Sequence, residues 1–314
     1  MSQKGEERAS RAHLERLHEL DELHRRRHAA HASFLSLWAR AAFHPPRAPR
    51  REPLPALRPG ELGVTFVGHS TVLLRTAGVR VLTDPNLARW LLGLRRSWAP
   101  GLSPDELTPL DLVLVSHAHH DHLVRPSLRR VSSGATCVVP ARCADLVSDL
   151  GFARVVELSV GESFRAGAVE VFAVPARHWG TRMLGDYKRR GYCGYVVRGD
   201  GASAYFAGDT AYFSGFAEIG QRYRPDVALL PIGAYTPRSF RRSHMSPLDA
   251  VYALEDLGSR LLVPIHFGSY QLSYEPLDEP PAWLRELARQ RGLEKRVAIL
   301  ENGQSIVLGP KDSG

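Results

Sequence analysis

The sequence predicts an α/β protein in which two β-sheets pack face to face and helices cover their outer faces, a four-layer αββα sandwich. Short β-branched runs separated by Gly68-His69 and by Ala77-Gly78 are typical of antiparallel hairpins. Farther along the chain, apolar runs of strand length alternate with segments of helical periodicity. At 314 residues, 44% of them hydrophobic, the chain is long enough to bury such a core.

The first 59 residues differ in composition from the rest and predict a helical, basic N-terminal arm followed by a Pro- and Arg-rich linker. Up to Arg27 the arm is rich in Glu, Arg and Leu and contains no Pro, which favours an exposed or partner-packed helix. The apolar patch from Phe34 to Phe43 has two interpretations: packing on the main domain or a second subunit, and insertion into a lipid interface. Residues 60–314 form the predicted main domain.

Hydrophobic periodicity and turn residues define the predicted elements of the main domain. The predicted strands are Leu62–Val67, Thr71–Arg75, Val79–Thr83, Leu112–Val115, Thr136–Val139, Arg154–Glu157, Ala168–Val174, Tyr192–Val197, Ser203–Ala207, Val227–Ile232 and Leu261–Ile265. The predicted helices are Arg125–Val131, Ala141–Leu150, Ala211–Arg222, Pro247–Leu257 and Ala282–Arg291. The helix from Ala141 to Leu150 and the strands on either side of it predict a β-α-β unit.

The charge balance predicts anionic partners. Lys and Arg number 41 against 33 Asp and Glu, a net charge of +8, which favours phosphate esters, nucleic acid or acidic lipids. The cysteines Cys137, Cys143 and Cys193 form no C-x-x-C pair, which argues against a disulfide framework and a thiolate zinc site. No apolar run approaches the about 18 residues of a membrane span, and charge begins at Lys4. We therefore expect a cytoplasmic protein, with peripheral association with the inner face of the membrane as a second option.

Directly after an apolar strand, the segment Ser116–Leu123 contains a cluster of four histidines and an aspartate. So many polar side chains at the end of a buried strand need a partner, and a divalent metal accepts both imidazole and carboxylate ligands. In an extended turn His117 and His119 point the same way and can hold one ion, while Asp121 and His122 turn towards a second. A solvated histidine-rich loop is the alternative interpretation.

The pattern His-x-His-x-Asp-His after a hydrophobic strand resembles the metal-binding signature of the metallo-β-lactamase superfamily. The resemblance implies three more ligands, each after a strand: His178, Asp209 and His266. The ligand sets that it implies are His117, His119 and His178 for one ion, Asp121, His122 and His266 for the other, and Asp209 as a bridge. These ligand types suit two zinc ions, and manganese and iron fit them as well. His120 falls on the variable position of the pattern and is expected to face outward.

Further segments narrow the resemblance to N-acylphosphatidylethanolamine-hydrolysing phospholipase D, over roughly residues 62–305. These segments are Gly68–Thr71, Thr83–Pro85, Phe206–Phe213, Phe216–Gly220, Pro231–Arg238, His244–Pro247 and Glu279–Pro281. The branch implies a dinuclear zinc phosphodiesterase that converts N-acylphosphatidylethanolamine-type phospholipids to phosphatidic acid and N-acylethanolamine. A phospholipid or another phosphodiester is then the expected substrate, a homodimer is left open, and nucleic acid is not an expected partner.

Three residues are the predicted catalytic groups. Asp209, as the bridging carboxylate, would orient the hydroxide that attacks phosphorus, and Asp121 is the second catalytic carboxylate. The resemblance puts His244 at the mouth of the site, where it would contact the substrate phosphate or assist the leaving group.

Four further polar residues have predicted supporting roles. Tyr235 and Arg238 are predicted to contact substrate together with His244, since an arginine binds phosphate oxygens by charge-assisted hydrogen bonds. His69 and Asp84 are expected to hold the tautomers of metal ligands by hydrogen bonds.

Two other functions compete with this one. The first has the same fold but hydrolyses a different bond: it is a lactonase or small phosphorylated-metabolite hydrolase resembling ascorbate-phosphate lactonase. A long apolar groove leading to the metals favours a lipid substrate, whereas a closed polar pocket favours a metabolite. The second is a non-enzymatic protein that binds anionic surfaces or nucleic acid and keeps a structural metal site, which the high pI motivates. A structural zinc site has no need of a bridging aspartate.

Overall fold

Two β-sheets form the centre of the molecule. The computed structural model describes Arg16, residues 34–43 and residues 45–310. In this part of the chain the larger sheet has the strand order β15-β1-β2-β3-β6-β7-β8, and the smaller one has the order β14-β13-β12-β11-β10-β9. A short hairpin, β4-β5, stands apart from both sheets.

The strands of the larger sheet are β1 (Leu62–Gly68), β2 (Thr71–Thr76), β3 (Val79–Thr83), β6 (Leu112–Leu114), β7 (Thr136–Pro140), β8 (Arg154–Leu158) and β15 (Ser305–Leu308). Strands β15, β1, β2 and β3 pair antiparallel, and β3, β6, β7 and β8 pair parallel. The antiparallel β1-β2-β3 meander returns β3 to the direction of β1. The carboxyl ends of β1, β3 and β6 therefore meet at one edge of the sheet.

The smaller sheet contains β9 (Ser163–Ala166), β10 (Val169–Val174), β11 (Gly194–Arg198), β12 (Ser203–Phe206), β13 (Val227–Pro231) and β14 (Leu261–Ile265). Strands β12, β13 and β14 run parallel, so their carboxyl ends also share an edge. The hairpin is made of β4 (Trp90–Leu91) and β5 (Leu94–Arg95). A hydrogen bond from the His266 amide to the His69 carbonyl, 2.8 Å long, joins the two sheets at their ligand-bearing edges.

Helices cover both sheets on their outer sides. They are α1 (Phe34–Phe43), α2 (Pro104–Leu107), α3 (Arg125–Val131), α4 (Gly215–Tyr223), α5 (Pro247–Leu257) and α6 (Glu279–Gln290). Helices α2 and α3 pack together over the larger sheet, α4, α5 and α6 lie in a row over the smaller sheet, and α1 packs against β5. No helix in these described stretches has both the length and the apolar character needed to cross a membrane.

Two apolar cores separate the layers. The larger one lies between the sheets and under α5, and contains Phe66 and Tyr195; the smaller lies between the first sheet and α3, and contains Leu82 and Leu128. Side chains of a strand alternate between faces, so successive residues of β1, β2 and β3 enter different cores. The predicted four-layer sandwich is confirmed. All three cysteines are buried and free.

One predicted helix is wrong and several strands were missed. Between β7 and β8 only Ala144–Leu146 form a 3-10 turn, instead of a helix from Ala141 to Leu150. The reason is local: Glu157 Oε1 accepts the backbone N–H groups of Cys143 and Ala144 at 2.7 and 2.6 Å, and Arg142 has a left-handed φ of 61°. The Glu157 carboxylate thus holds the backbone N–H groups at the start of the predicted helix in a turn. The missed strands are β4, β5, β9 and β15, all of four residues or fewer.

The N-terminal predictions fall largely outside the described residues. Of the predicted helix up to Arg27 only Arg16 is described, and it is helical. Its guanidinium lies 2.5 Å from Asp256 Oδ1 and 3.2 Å from the Tyr212 hydroxyl, and stacks 4.9 Å above the Tyr252 ring. At this residue, therefore, the arm packs on α5 and on the loop after β12.

Candidate metal centre

The predicted ligands gather at one edge because they all follow strands that end there. His69 follows β1, Asp209 follows β12, and His266 follows β14, while the 117–122 cluster follows β6 and His178 follows β10. His69 and His266 have left-handed φ values of 61° and 58°, and Asp84 after β3 has a φ of 32°. Such conformations cost energy for non-glycine residues and are concentrated at functional sites.

Three histidines form the first centre, which we define as His117, His119 and His178. His119 Nδ1 lies 2.9 Å from His117 Nε2 and 3.2 Å from His178 Nε2. The three nitrogens converge on one point, and the residues are grouped closely enough to hold one metal ion.

The second centre consists of Asp121, His122 and His266. Asp121 Oδ2 lies 3.4 Å from His122 Nε2 and 3.3 Å from His266 Nε2. Asp209 Oδ2 is 3.2 Å from the same two nitrogens, so this carboxylate closes the second centre. Asp209 also groups with His178 of the first centre and with His244, so it lies between the two centres.

Hydrogen bonds behind the ligands determine which ring nitrogen faces the site. His178 Nδ1 donates to the Ser243 carbonyl at 2.8 Å, and His122 Nδ1 donates to Asp84 Oδ2 at 2.6 Å. Ser116 Oγ donates to Asp84, so it accepts from His117 Nδ1, 2.9 Å away. In all three rings Nε2 therefore faces the centre, and it is the nitrogen that coordinates a metal once it carries no proton.

The charges of the cluster are coupled. Burial opposes ionisation of Asp209 and Asp121, but the neighbouring His122 outweighs it and holds the pKa of each carboxyl well below its usual range. Burial also disfavours a protonated His122, yet Asp209, Asp121 and Asp84 raise its pKa well above the ordinary value. For His117 and His178 burial dominates and lowers the pKa, so these rings are neutral ligands.

The residues present fit divalent cations. His122 Nε2 and Asp209 Oδ1 are buried atoms without a hydrogen-bond partner among the described residues. Buried polar atoms are normally satisfied, and neutral imidazoles with carboxylates are the ligand types of zinc and similar ions. The arrangement offers two adjacent sets of such ligands, joined by one carboxylate.

A pocket of about 540 Å³ opens directly above the two centres. Its floor includes His119, Asp121, Asp209, His244 and His266. Its walls are largely apolar and include Leu91, Leu92, Leu94, Trp179, Phe240 and Leu272. The Trp179 ring meets the His119 ring edge to face, with 4.3 Å between centroids. A substrate with a long apolar portion therefore has a wall to lie against.

The structure brings together most of the predicted site residues, with two differences. His244 is on the pocket floor, with Nδ1 3.6 Å from Asp209 Oδ2. Arg238 is exposed at the rim, next to the lining residue Ser239. Tyr235, by contrast, is 1% exposed and donates its hydroxyl to Glu279 at 2.7 Å. The predicted substrate contact by Tyr235 thus disagrees with the structure, because its ring packs into the core beside Trp283.

His120 also differs from its prediction. Instead of facing outward it lines the pocket, half-buried, with Nε2 3.2 Å from the Arg182 carbonyl. The two residues predicted to support the ligands lie in contact with them: His69 Nε2 is 3.1 Å from Asp121 Oδ2, and Asp84 contacts His122. These contacts are compatible with the predicted role of both side chains.

Sequence reasoning missed the hairpin β4-β5, which supplies Leu91, Leu92 and Leu94 to the pocket wall. The run from Trp90 to Leu94 is apolar around a single glycine and stands between more polar segments, a pattern that could have indicated a functional hairpin.

Comparison with known proteins assigns the family. Residues 79–267 match the model of the Beta-lactamase superfamily domain. The chain belongs to the metallo-β-lactamase superfamily. It is 34% identical to a UPF0173 metal-dependent hydrolase of Methanopyrus kandleri over 244 residues, which are 77% of this chain and 98% of the relative. The predicted superfamily is therefore confirmed.

Two further relatives refine this assignment. The chain is 33% identical over 251 residues to N-acyl-phosphatidylethanolamine-hydrolyzing phospholipase D 1 of Caenorhabditis elegans, covering 73% of this chain and 70% of the relative. This similarity confirms the predicted branch. The solved structure of Igni18, a metallo hydrolase from Ignicoccus hospitalis, has a TM-score of 0.62 at 24% identity, covering 80% of this chain and all of that one. It shows the same fold. The expectation of a metal-dependent hydrolase agrees with these relatives.

Proposed function

We propose that the protein is a dinuclear zinc phosphodiesterase of the phospholipase D type, which hydrolyses N-acylphosphatidylethanolamine-type lipids to phosphatidic acid and N-acylethanolamine. The observation that carries the proposal is an apolar pocket wall that leads directly to two adjacent ligand sets. Similarity to the Caenorhabditis elegans phospholipase supports this substrate class. An open apolar pocket also favours a lipid over the small polar substrates of a lactonase.

The chain's own residues would hold two zinc ions. The first centre would take one ion through His117 Nε2, His119 Nδ1 and His178 Nε2, and the second centre would take the other. Bound zinc supplies Lewis acidity to the phosphate and lowers the pKa of water towards 7. Asp209, which lies within reach of both ligand sets, would be shared between them.

Asp209 and His244 are the two residues best placed to act on substrate. The Oδ1 atom of Asp209 has no hydrogen-bond partner among the described residues, so it can accept a hydrogen bond from the attacking water or hydroxide and orient its lone pair. Burial lowers the pKa of His244 to about 4, so this ring is neutral at pH 7. Neutral His244 would therefore bind a phosphate oxygen through one N–H group.

The rim of the pocket has the composition of a surface that contacts lipid. Trp90 and Leu92 at the hairpin are 53% and 76% exposed, and Met183 and Tyr187 in the loop between β10 and β11 are 72% and 58% exposed. The Tyr187 ring lies 5.6 Å from that of the lining residue Trp179, which places this second group beside the pocket. We propose that these side chains enter the interface of a membrane on its cytoplasmic face while the pocket receives a headgroup.

The activity is tested with purified protein, zinc and N-acylphosphatidylethanolamine in mixed micelles, with N-acylethanolamine measured by mass spectrometry. Asp209→Asn should lower kcat at least about 100-fold with an unchanged circular dichroism spectrum. Asp200→Asn, an exposed aspartate far from the ligands, is the matched control and should keep full activity. A wild-type protein that holds two zinc ions but cleaves neither this lipid nor its lyso form would contradict the proposal.

Membrane contact is tested separately. Trp90→Ser should weaken binding to anionic vesicles while leaving turnover of a short-chain, soluble phosphodiester unchanged, since this side chain is exposed and does not line the pocket. Val160→Ser changes a side chain that is 52% exposed in the turn before β9 and serves as the control. Equal vesicle binding by both variants would argue against the rim as the contact surface.

A further inference from the structure

A buried arginine lies behind the second centre and has no acidic partner. Arg96, directly after β5, is 1% exposed and is one of the largest fully buried side chains in the described chain. Its guanidinium makes no ion pair with any described residue, and its acceptors are all neutral. Burial lowers its pKa, although the Tyr270 hydroxyl opposes this shift. Taking a guanidinium out of water is unfavourable, so a packing role alone is better served by an apolar residue.

One edge of the guanidinium leads to Asp121. Arg96 Nη2 donates to the Asn86 carbonyl at 2.5 Å and to Asn86 Oδ1 at 3.1 Å. The Asn86 side chain in turn donates from Nδ2 to the Asp121 carbonyl at 2.9 Å. A single amide side chain thus connects Arg96 to the backbone of a second-centre ligand.

The other edge leads to the loop after His266. Arg96 Nη1 lies 3.3 Å from Ser269 Oγ and Nε lies 3.1 Å from the Tyr270 hydroxyl. The Tyr270 ring meets the His69 ring edge to face at 5.7 Å, and His69 contacts Asp121. Both routes from Arg96 therefore end at the second centre.

Arg96 is also the base of the hairpin that forms the pocket wall. Its amide donates to the Arg89 carbonyl and its Nε to the Ala88 carbonyl, both at 2.9 Å, which closes the chain around residues 90–95. Leu91 and Leu94 of this hairpin line the pocket. A planar fork with five donors can bind all these acceptors at once, whereas the three donors of a lysine ammonium cannot.

We propose that Arg96 is a positioning residue for the second metal centre. Arg96 connects the β4-β5 pocket wall to Asp121 through Asn86, and to the loop after His266 through Ser269 and Tyr270. The proposal rests on the two-metal site of the proposed function but not on its substrate. Loss of the fork should loosen Asp121 and His266 together. The first centre should be unaffected.

The test is stepwise zinc binding by the full-length protein without substrate, measured by competition with a chromophoric chelator. Arg96→Lys should weaken one of the two binding steps about 10- to 100-fold and leave the other unchanged. The affected step should be the one that His266→Ala abolishes. Arg89→Lys, an exposed arginine at the foot of the same hairpin, is the matched control and should bind both ions as the wild type does.

Two results would overturn the proposal. In the first, Arg96→Lys binds both zinc ions with wild-type affinity, even if its free energy of unfolding is lower. In the second, Arg96→Lys weakens both zinc-binding steps by the same factor. If Arg96→Lys does not fold, Asn86→Ala removes the link to Asp121 and leaves the arginine in place. That variant should weaken the same step, and wild-type affinity would overturn the proposal. Because the readout is zinc binding, absence of lipid hydrolysis would refute the proposed substrate without changing this outcome.

Discussion

Replacing Asp84 by asparagine removes one negative charge from behind the second centre and preserves the shape of the side chain. Asp84 is completely buried. Its Oδ2 accepts from His122 Nδ1 at 2.6 Å and from Ser116 Oγ at 2.5 Å, and its Oδ1 accepts from the Ser116 amide at 2.7 Å. Both carboxylate oxygens are therefore used as acceptors, and an amide has only one.

This hydrogen-bond geometry sets the size of the expected losses in stability and in zinc affinity. If the asparagine oxygen stays opposite the Ser116 amide, its NH₂ group meets the His122 Nδ1–H, and two donors face each other. His122 must then lose that hydrogen bond or move its proton to Nε2, the atom that faces the centre. Removing one partner of a buried charged pair costs about 3–5 kcal/mol, so the metal-free variant should unfold more easily by that amount. Zinc affinity should fall about 10- to 100-fold.

Urea unfolding of the metal-free protein measures the first effect, and chelator competition measures the second. Asp200→Asn, which also replaces an aspartate by asparagine but at an exposed position, should leave both quantities unchanged. If Asp84→Asn binds zinc within about twofold of the wild type, the assignment of Asp84 as the residue that orients His122 is refuted.

Three further outcomes are expected. Removal of metal with a chelator should lower Tm, since zinc at 100 times its Kd raises the free energy of unfolding by about 2.7 kcal/mol. Calorimetry with and without zinc measures this effect, and an unchanged Tm would contradict it. In the metal-free protein burial lowers the pKa of His244 from 6.5 to about 4, so between these values only the unfolded state takes up the proton. The stability of the wild type relative to His244→Gln should therefore fall by up to about 1.4 kcal/mol per pH unit as pH drops below 6.5, whereas parallel urea profiles at pH 7 and 5 would exclude the effect. Arg16→Ala should lower the free energy of unfolding by about 1 kcal/mol, because it loses the ion pair with Asp256 and the stacking on Tyr252. The exposed Arg130→Ala is its control, and equal stability of the two variants would mean that the arm contact is not stabilising.

Local sequence patterns predicted much of the fold. The strands Val79–Thr83 and Leu261–Ile265 and the helices Arg125–Val131 and Pro247–Leu257 have the predicted bounds. For Pro247–Leu257 the reason is visible: Ser246 and Asp249 form a reciprocal cap, Pro247 occupies the first turn, and Gly258 ends the helix with a φ of 62°. These are effects within a few residues, so the sequence alone reveals them.

The predictions that failed depended on contacts with distant residues. Glu157, after the segment in the chain, holds the Cys143 and Ala144 amides in a turn and prevents the predicted helix. Tyr235 follows a strand at the edge that carries the ligands, which is why a substrate contact was predicted. In the structure its hydroxyl donates to Glu279 on α6 and its ring is buried. Neither partner is adjacent in sequence, so periodicity could not predict either result.

The family, the four-layer fold and the kinds of residue that can hold metal were predictable from the sequence, because ligand spacing within Ser116–Leu123 and residue type at strand ends are local properties. The convergence of particular atoms, the ring orientations that Asp84 and Ser116 impose, and the apolar hairpin over the centres depend on contacts between distant segments. The buried Arg96 belongs to this second group, since its side-chain acceptors come from two distant segments of the chain, residues 86–88 and 269–270. Convergence of distant segments is a consequence of packing, which local sequence patterns do not reveal.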